Sequence, residues 1–128
     1  MGVILAIDDS MVVLAQLQRF SMTVAPESSF VKAKSGEKGI ELAKQQTEEI
    51  DIAFIDYNME GLNGIEVMGE LVNIMPINKM VLLTANIQEA VVDKVKEKGA
   101  NFLAKPMTSE KYKEIYDIVM NRAQEKSA

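Results

Sequence analysis

Four short apolar runs punctuate this chain, and each stops abruptly at a polar residue. Val3-Ile4-Leu5-Ala6-Ile7 runs into Asp8-Asp9, and Ile52-Ala53-Phe54-Ile55 runs into Asp56. Met80-Val81-Leu82-Leu83 runs into Thr84, and Phe102-Leu103-Ala104 runs into Lys105, followed at once by Pro106. Runs of this length without polar alternation read as strands of a parallel sheet buried on both faces. A fifth segment, Phe30-Val31-Lys32-Ala33-Lys34, alternates apolar with polar. It predicts a strand with one open side, and its lysines suit an edge position.

The segments between these runs carry helical periodicity. Ser10 is a candidate N-cap for a helix with Met11, Leu14 and Leu17, joined by Val13 and Phe20, on its apolar face. Ala25-Pro26-Glu27-Ser28 reads as a loop. Ser35-Gly36-Glu37 opens a second helix through about Gln46, with Ile40 and Ala43 inward. Gly61 and Gly64 bracket a loop before a third face of Ile65, Met68, Leu71 and Ile74, which Pro76 ends. Ile87, Val91 and Val95 repeat at helical spacing before Gly99 supplies a stop. Tyr112, Ile115, Tyr116, Val119 and Met120 mark the last and clearest helix. Five strands and five helices in strict alternation predict an α/β fold, a doubly wound parallel sheet with helices on both faces, in one domain over residues 1–128.

In such a sheet all strands point the same way, so the polar residues that end the runs share one edge. Ligands of doubly wound sheets bind beyond that carboxyl-terminal edge. Taken singly, each residue has a plainer explanation: an Asp after a strand is often a cap, Thr84 could cap the next helix, and Lys105-Pro106 is a turn. Independent caps give no reason for three carboxylates, a hydroxyl and an ammonium to coincide there. Three close carboxylates repel one another, which raises the pKa of at least one and invites a cation. A carboxylate can also attack phosphorus to form an aspartyl phosphate, a reaction that needs alignment and charge neutralisation above all. The lysine could then pair with the phosphoryl group and the threonine could hydrogen-bond one of its oxygens.

Composition narrows the chemistry. The 128-residue chain has neither cysteine nor histidine. It therefore lacks thiolate catalysis, disulfides, the commonest general base and any phosphohistidine of its own. A metal would have to be a hard cation held by oxygens, magnesium or calcium. The formal net charge of −5 argues against a nucleic-acid partner. Lys94, Lys96, Lys98, Lys111 and Lys113 are interleaved with acids and read as a solvated surface. No apolar run is long enough for membrane insertion and no basic-then-apolar leader opens the chain, so a cytoplasmic location is expected.

With these residues in hand, the chain resembles the response-regulator receiver domains. The resemblance rests on Asp8-Asp9-Ser10, Asp56-Tyr57-Asn58-Met59, Gly64, Thr84-Ala85 and Lys105-Pro106, in order along nearly the whole chain. It implies the flavodoxin-like strand order 2-1-3-4-5. It also implies Asp56 as phosphoacceptor, with Mg2+ held directly by Asp9, Asp56 and the backbone carbonyl of Asn58, and by Asp8 through water. Lys105, Thr84 and the backbone amide of Ala85 would hold phosphoryl oxygens, and Phe102 would sit at the aromatic switch position.

The chain departs from the family pattern in places. Glu60 stands where a proline is common, which predicts a looser or differently charged loop. Phe102 replaces the tyrosine of the best-known chemotaxis members. Asn58 and Asn86 occupy the positions from which the family tunes hydrolysis of the acyl phosphate. The implied partners are a histidine kinase or histidine phosphotransfer protein and a phosphorylation-dependent effector protein. The effector would bind the fourth helix, fifth strand and fifth helix, a surface including Val92, Lys96, Phe102, Tyr112 and Tyr116, although either tyrosine could equally be a core residue.

Three rivals follow from the same residues. A Mg2+-dependent phosphohydrolase working through an aspartyl phosphate would want a second acid where Asn58 stands. A receiver that binds partners without being phosphorylated would not need the intact acids, Thr84 and Lys105. A module cut from a larger regulator or hybrid kinase is the third; the start at Met1 and the polar tail Gln124–Ala128 favour a standalone protein.

Overall fold

The computed structural model describes residues 2–85 and 89–127. Along the chain run β1 (Val3–Ile7), α1 (Met11–Val24), β2 (Ser29–Ala33), α2 (Gly36–Gln45) and β3 (Ile50–Asp56). They are followed by α3 (Gly64–Leu71), a 3-10 turn (Ile77–Lys79), β4 (Met80–Thr84), α4 (Glu89–Glu97), β5 (Asn101–Ala104) and α5 (Ser109–Ser127). The strands form one sheet in the order β2-β1-β3-β4-β5, and every pairing is parallel. This is the doubly wound, flavodoxin-like order expected above.

The sheet sorts its residues by parity, because successive side chains of a strand leave on opposite faces. Val3, Leu5 and Ile7 pack with Ile40 and Ala43 of α2, Val67, Met68 and Leu71 of α3, and Val95 of α4. Ile4 and Ala6 pack with Leu14 and Leu17 of α1 and with Tyr112, Ile115 and Val119 of α5. Both faces of β1, β3 and β4 are thus covered, which explains their unbroken apolar runs. Burying each large side chain of this kind stabilises the fold by roughly 1.5–3 kcal/mol. The lysine of the alternating strand, Lys32, is exposed on β2 at the edge.

Caps set the helix ends. Ser10 and Ser35 accept hydrogen bonds from the backbone N–H groups of Val13 and Lys38. Asn63 and Glu66 form a reciprocal capping box at the start of α3. Gly99 ends α4 with φ 87°, a backbone region that favours glycine.

Two sequence expectations need correction, and one that was left open is settled. Met11 is not on the inner face of α1: it is 67% exposed, and Leu14, Leu17 and Ser21 are the buried positions. The inner face of α3 uses Val67 with Met68 and Leu71, whereas Ile74 is exposed. The helix stops at Leu71 and the chain turns, so Met75 rather than Ile74 reaches the core. Tyr112 belongs to the core and not to the outer surface, for it is fully buried. Its hydroxyl hydrogen-bonds Ser21 of α1, and its ring stacks on Phe54 at 5.0 Å. Burial pushes the Tyr112 hydroxyl up to about 12. Ile87 and Asn86 lie outside the described residues.

Candidate functional site

Strand register brings the site together. Ile7 of β1 lies beside Ile55 of β3, Asp56 beside Leu83 of β4, and Thr84 beside Ala104 of β5. Asp8, Asp56, Thr84 and Lys105 therefore leave four neighbouring strands at one edge, as the apolar runs predict. Backbone hydrogen bonds continue the ladder past the strand ends. Tyr57 N–H donates to Leu83 C=O at 2.9 Å, and Lys105 N–H donates to Thr84 C=O at 2.9 Å. The bond from Lys105 to Pro106 is cis.

Asp8 and Asp56 are buried, while Asp9 is exposed. One oxygen from each of the three carboxylates lies within 4.8 Å of the others. Lys105 Nζ stands between the two buried acids, 2.9 Å from Asp8 Oδ2 and 3.1 Å from Asp56 Oδ1. Its bond to Asp56 has hydrogen-bond geometry. Among the described residues Asp8 Oδ2 meets Lys105 as an ion pair. The other oxygen of Asp8 accepts from Ser10 N–H at 2.9 Å, which ties the first turn of α1 to the acidic cluster.

Three acids facing one ammonium leave an excess of negative charge in a half-dry pocket. Burial pushes the Asp56 carboxyl above its ordinary range and the charge of Asp8 pushes it further, while Lys105 offsets only part of this. Burial alone would lower the Lys105 pKa, but its bonds and attraction to Asp8 and then Asp56 outweigh that and raise it. Lys105 is thus a permanent cation at neutral pH. The donor set fits a hard divalent ion. It is all oxygen, and it carries surplus charge, with three acids facing one ammonium among the described residues.

The remaining expected residues fall around this cluster. Thr84 is buried at the end of β4 and Ala85 is exposed in the bend that follows. Asn58 is exposed just beyond β3. Phe102 is half-buried on β5, packed against the α2–α4 side of the core.

Two supporting features escape a reading of the sequence. Glu37 of α2 accepts a hydrogen bond from Leu62 N–H at 3.1 Å and pins the loop after Asp56, where Glu60 predicts a looser or differently charged segment. These two residues lie 25 positions apart, and no periodicity links them. Gly64 sits so close to the acceptor strand that a Cβ there would lie 2.6 Å from the Asp56 carbonyl oxygen and 2.6 Å from Leu82 Cδ1. The pair Gly61 and Gly64 was visible as loop brackets. Their requirements differ, since Gly61 adopts φ 80° and Gly64 needs space.

Comparison with known proteins agrees with this geometry. Residues 4–117 match the family model described as "Response regulator receiver domain". The nitrate/nitrite response regulator protein NarL of Escherichia coli K12 is 32% identical over 109 residues, covering 84% of this chain and 49% of NarL. The chain thus spans about half the length of that relative. The chemotaxis protein CheY of Listeria monocytogenes is 26% identical over 110 residues, covering 84% of this chain and 89% of CheY. Among solved structures, a response regulator receiver domain protein of Clostridium thermocellum superposes with a TM-score of 0.85 at 22% identity, covering 97% of this chain and 98% of its own. That likeness is one of fold. No helix among the described residues is long and apolar enough to cross a membrane.

Proposed function

The chain belongs to the response-regulator receiver domain family of two-component signalling, and on that premise we propose that it is a switch set by phosphorylation of Asp56. Receiver domains interact with histidine kinases and with effector domains, and they generally bind Mg2+ at an acidic pocket. Here the donor is the phosphohistidine of a kinase or a histidine phosphotransfer protein, since this chain has no histidine. The observation that carries the proposal is the Lys105 ammonium bridging Asp8 and Asp56 inside a cluster of three acids.

The transfer balances as follows. A carboxylate oxygen of Asp56 attacks phosphorus and forms the acyl phosphate O–P bond. The P–N bond to the donor imidazole breaks, and its electron pair stays on the nitrogen, which takes up a proton. Asp8, Asp9, Asp56 and the carbonyl of Asn58 would hold Mg2+, which when bound supplies charge neutralisation for the incoming phosphoryl oxygens. Lys105 exchanges its contact with Asp56 Oδ1 for a phosphoryl oxygen. Thr84 and the Ala85 N–H receive the others.

Movement of Thr84 towards the phosphoryl group would open space for Phe102 to turn inward, altering the face of α4, β5 and α5. A groove of about 450 Å³ lies on that face, bordered by Lys96, Phe102, Ile115 and Ile118, and it gives an effector something to read. The phosphohydrolase alternative is disfavoured, because Asn58 offers no second acid.

Incubation with Mg2+ and acetyl phosphate should add one phosphoryl group to Asp56, detected by intact mass and mapped after borohydride trapping. Label that persists in Asp56→Asn would sink the assignment.

A further inference from the structure

A second groove, of about 430 Å³, lies between the start of α1, the edge strand β2 and the first turn of α2. Its floor is apolar, built from Met11, Leu14 and Ala15. Its rim is basic, carrying Lys32, Lys34 and Lys38, and no acidic side chain among the described residues lines it. Met11 and the neighbouring Val12 are 67% and 68% exposed. Lys38 has one loose partner, Glu41 at 3.6 Å, and both are open to solvent. Lys32 and Lys34 make no ion pair among the described residues.

Three ammonium groups around an oily floor are out of character for a chain of net charge −5. Lysines on an edge strand do discourage pairing with a second strand. That role asks nothing of an exposed methionine and valine, and nothing of Lys38, which stands on a helix. A thioether at an open apolar surface adapts to varied side chains. An apolar groove with a ring of one charge selects an amphipathic partner of the opposite charge.

We propose that this groove docks an acidic amphipathic helix of a partner protein, with apolar residues on the Met11–Ala15 floor and carboxylates against Lys32, Lys34 and Lys38. The surface is separate from the α4-β5-α5 face and does not depend on Asp56 being the phosphoacceptor. It begins one residue beyond Ser10, whose N–H is held by Asp8, so the docked helix would lie beside the mouth of the acidic cluster.

The test uses the full chain, labelled with 15N, and a synthetic helical peptide with leucines at i, i+3, i+4 and i+7 flanked by glutamates. Amide shifts should concentrate in residues 11–15 and 32–38. Lys32→Glu with Lys34→Glu should weaken binding about tenfold or more, as should replacing the peptide's glutamates by glutamine. Met11→Gln, an exposed substitution, should weaken binding while leaving the charge rim intact. Shifts elsewhere on the chain, or affinity indifferent to the lysine reversal, would overturn the proposal. So would a groove that takes octanoate or anionic phosphatidylserine vesicles but not the peptide. Unchanged amide dispersion in each variant separates lost docking from lost folding.

Discussion

A lysine meets carboxylates at both ends of this sheet, and the two meetings are unlike. At the amino-terminal end, Lys79 of the 3-10 turn lies 2.7 Å from Glu49, whose side chain is 72% exposed. The hydrogen bond from Lys79 holds Glu49 below its usual range, while burial raises Asp51 nearby despite the attraction of Lys79. Lys79 itself is only 10% exposed, but water screens the pair from the open Glu49 side, so it contributes little, about 0–1 kcal/mol. At the carboxyl-terminal end, Lys105 faces a cluster of three acids, two of them buried, and leaves Asp56 above its ordinary range. The first arrangement leaves its paired carboxylate in water; the second gathers three carboxylate oxygens within 4.8 Å of one another. What distinguishes the second end is that convergence, since an ion pair by itself occurs at either end.

Substitutions can break this contrast. The largest expected effect is Lys105→Met, which strands two buried carboxylates and should cost about 3 kcal/mol in denaturant melts without divalent ions. The loss should deepen as pH rises and the acids ionise, and added Mg2+ should recover part of it. A cost no larger than that of Lys79→Met would erase the distinction between the two ends.

Next is Gly64→Ala, whose methyl group must displace the Asp56 carbonyl or Leu82. It should cost about 1–3 kcal/mol and slow phosphorylation by acetyl phosphate. Full retention of both would show that the loop gives way freely.

The pH dependence sharpens the comparison further. A carboxyl whose pKa is raised by folding binds its proton more tightly in the native state than in the unfolded chain. The metal-free protein should therefore lose stability as pH rises from the ordinary carboxylate range through the raised Asp56 value. Asp56→Asn should reduce that slope, leaving the part due to Asp51, which burial also raises, and lift the neutral-pH melting midpoint by a few degrees. An unchanged slope would place the surplus charge elsewhere. Glu49→Gln, the smallest case, should change stability by less than about 1 kcal/mol and lose that effect in high salt.

The carboxyl-terminal site was legible because its residues interrupt apolar runs, and parallel strands then align the interruptions. Asp8, Asp56 and Lys105 meet as that logic requires, and Thr84 ends the neighbouring strand beside Ala104. The amino-terminal pair was not legible, since Glu49 and Lys79 lie 30 positions apart at an exposed strand start and an irregular turn. The same limit hid the contact of Ser21 with Tyr112 across 91 positions, and with it the burial of that tyrosine. Helical periodicity also misplaced Met11 and Ile74. An apolar residue at the right spacing reaches the core only if the helix is long enough and turned that way. Met11 stands in the first turn of α1, and α3 ends before Ile74.

The acidic cluster draws its members from strands that enter the chain at widely separated times. During synthesis Asp8 and Asp9 emerge early, Asp56 midway, and Lys105 near the end. An unfinished or misassembled chain holds its aspartates apart, without the shared lysine. On the function proposed above, competence to accept a phosphoryl group would be withheld until the last strand is seated.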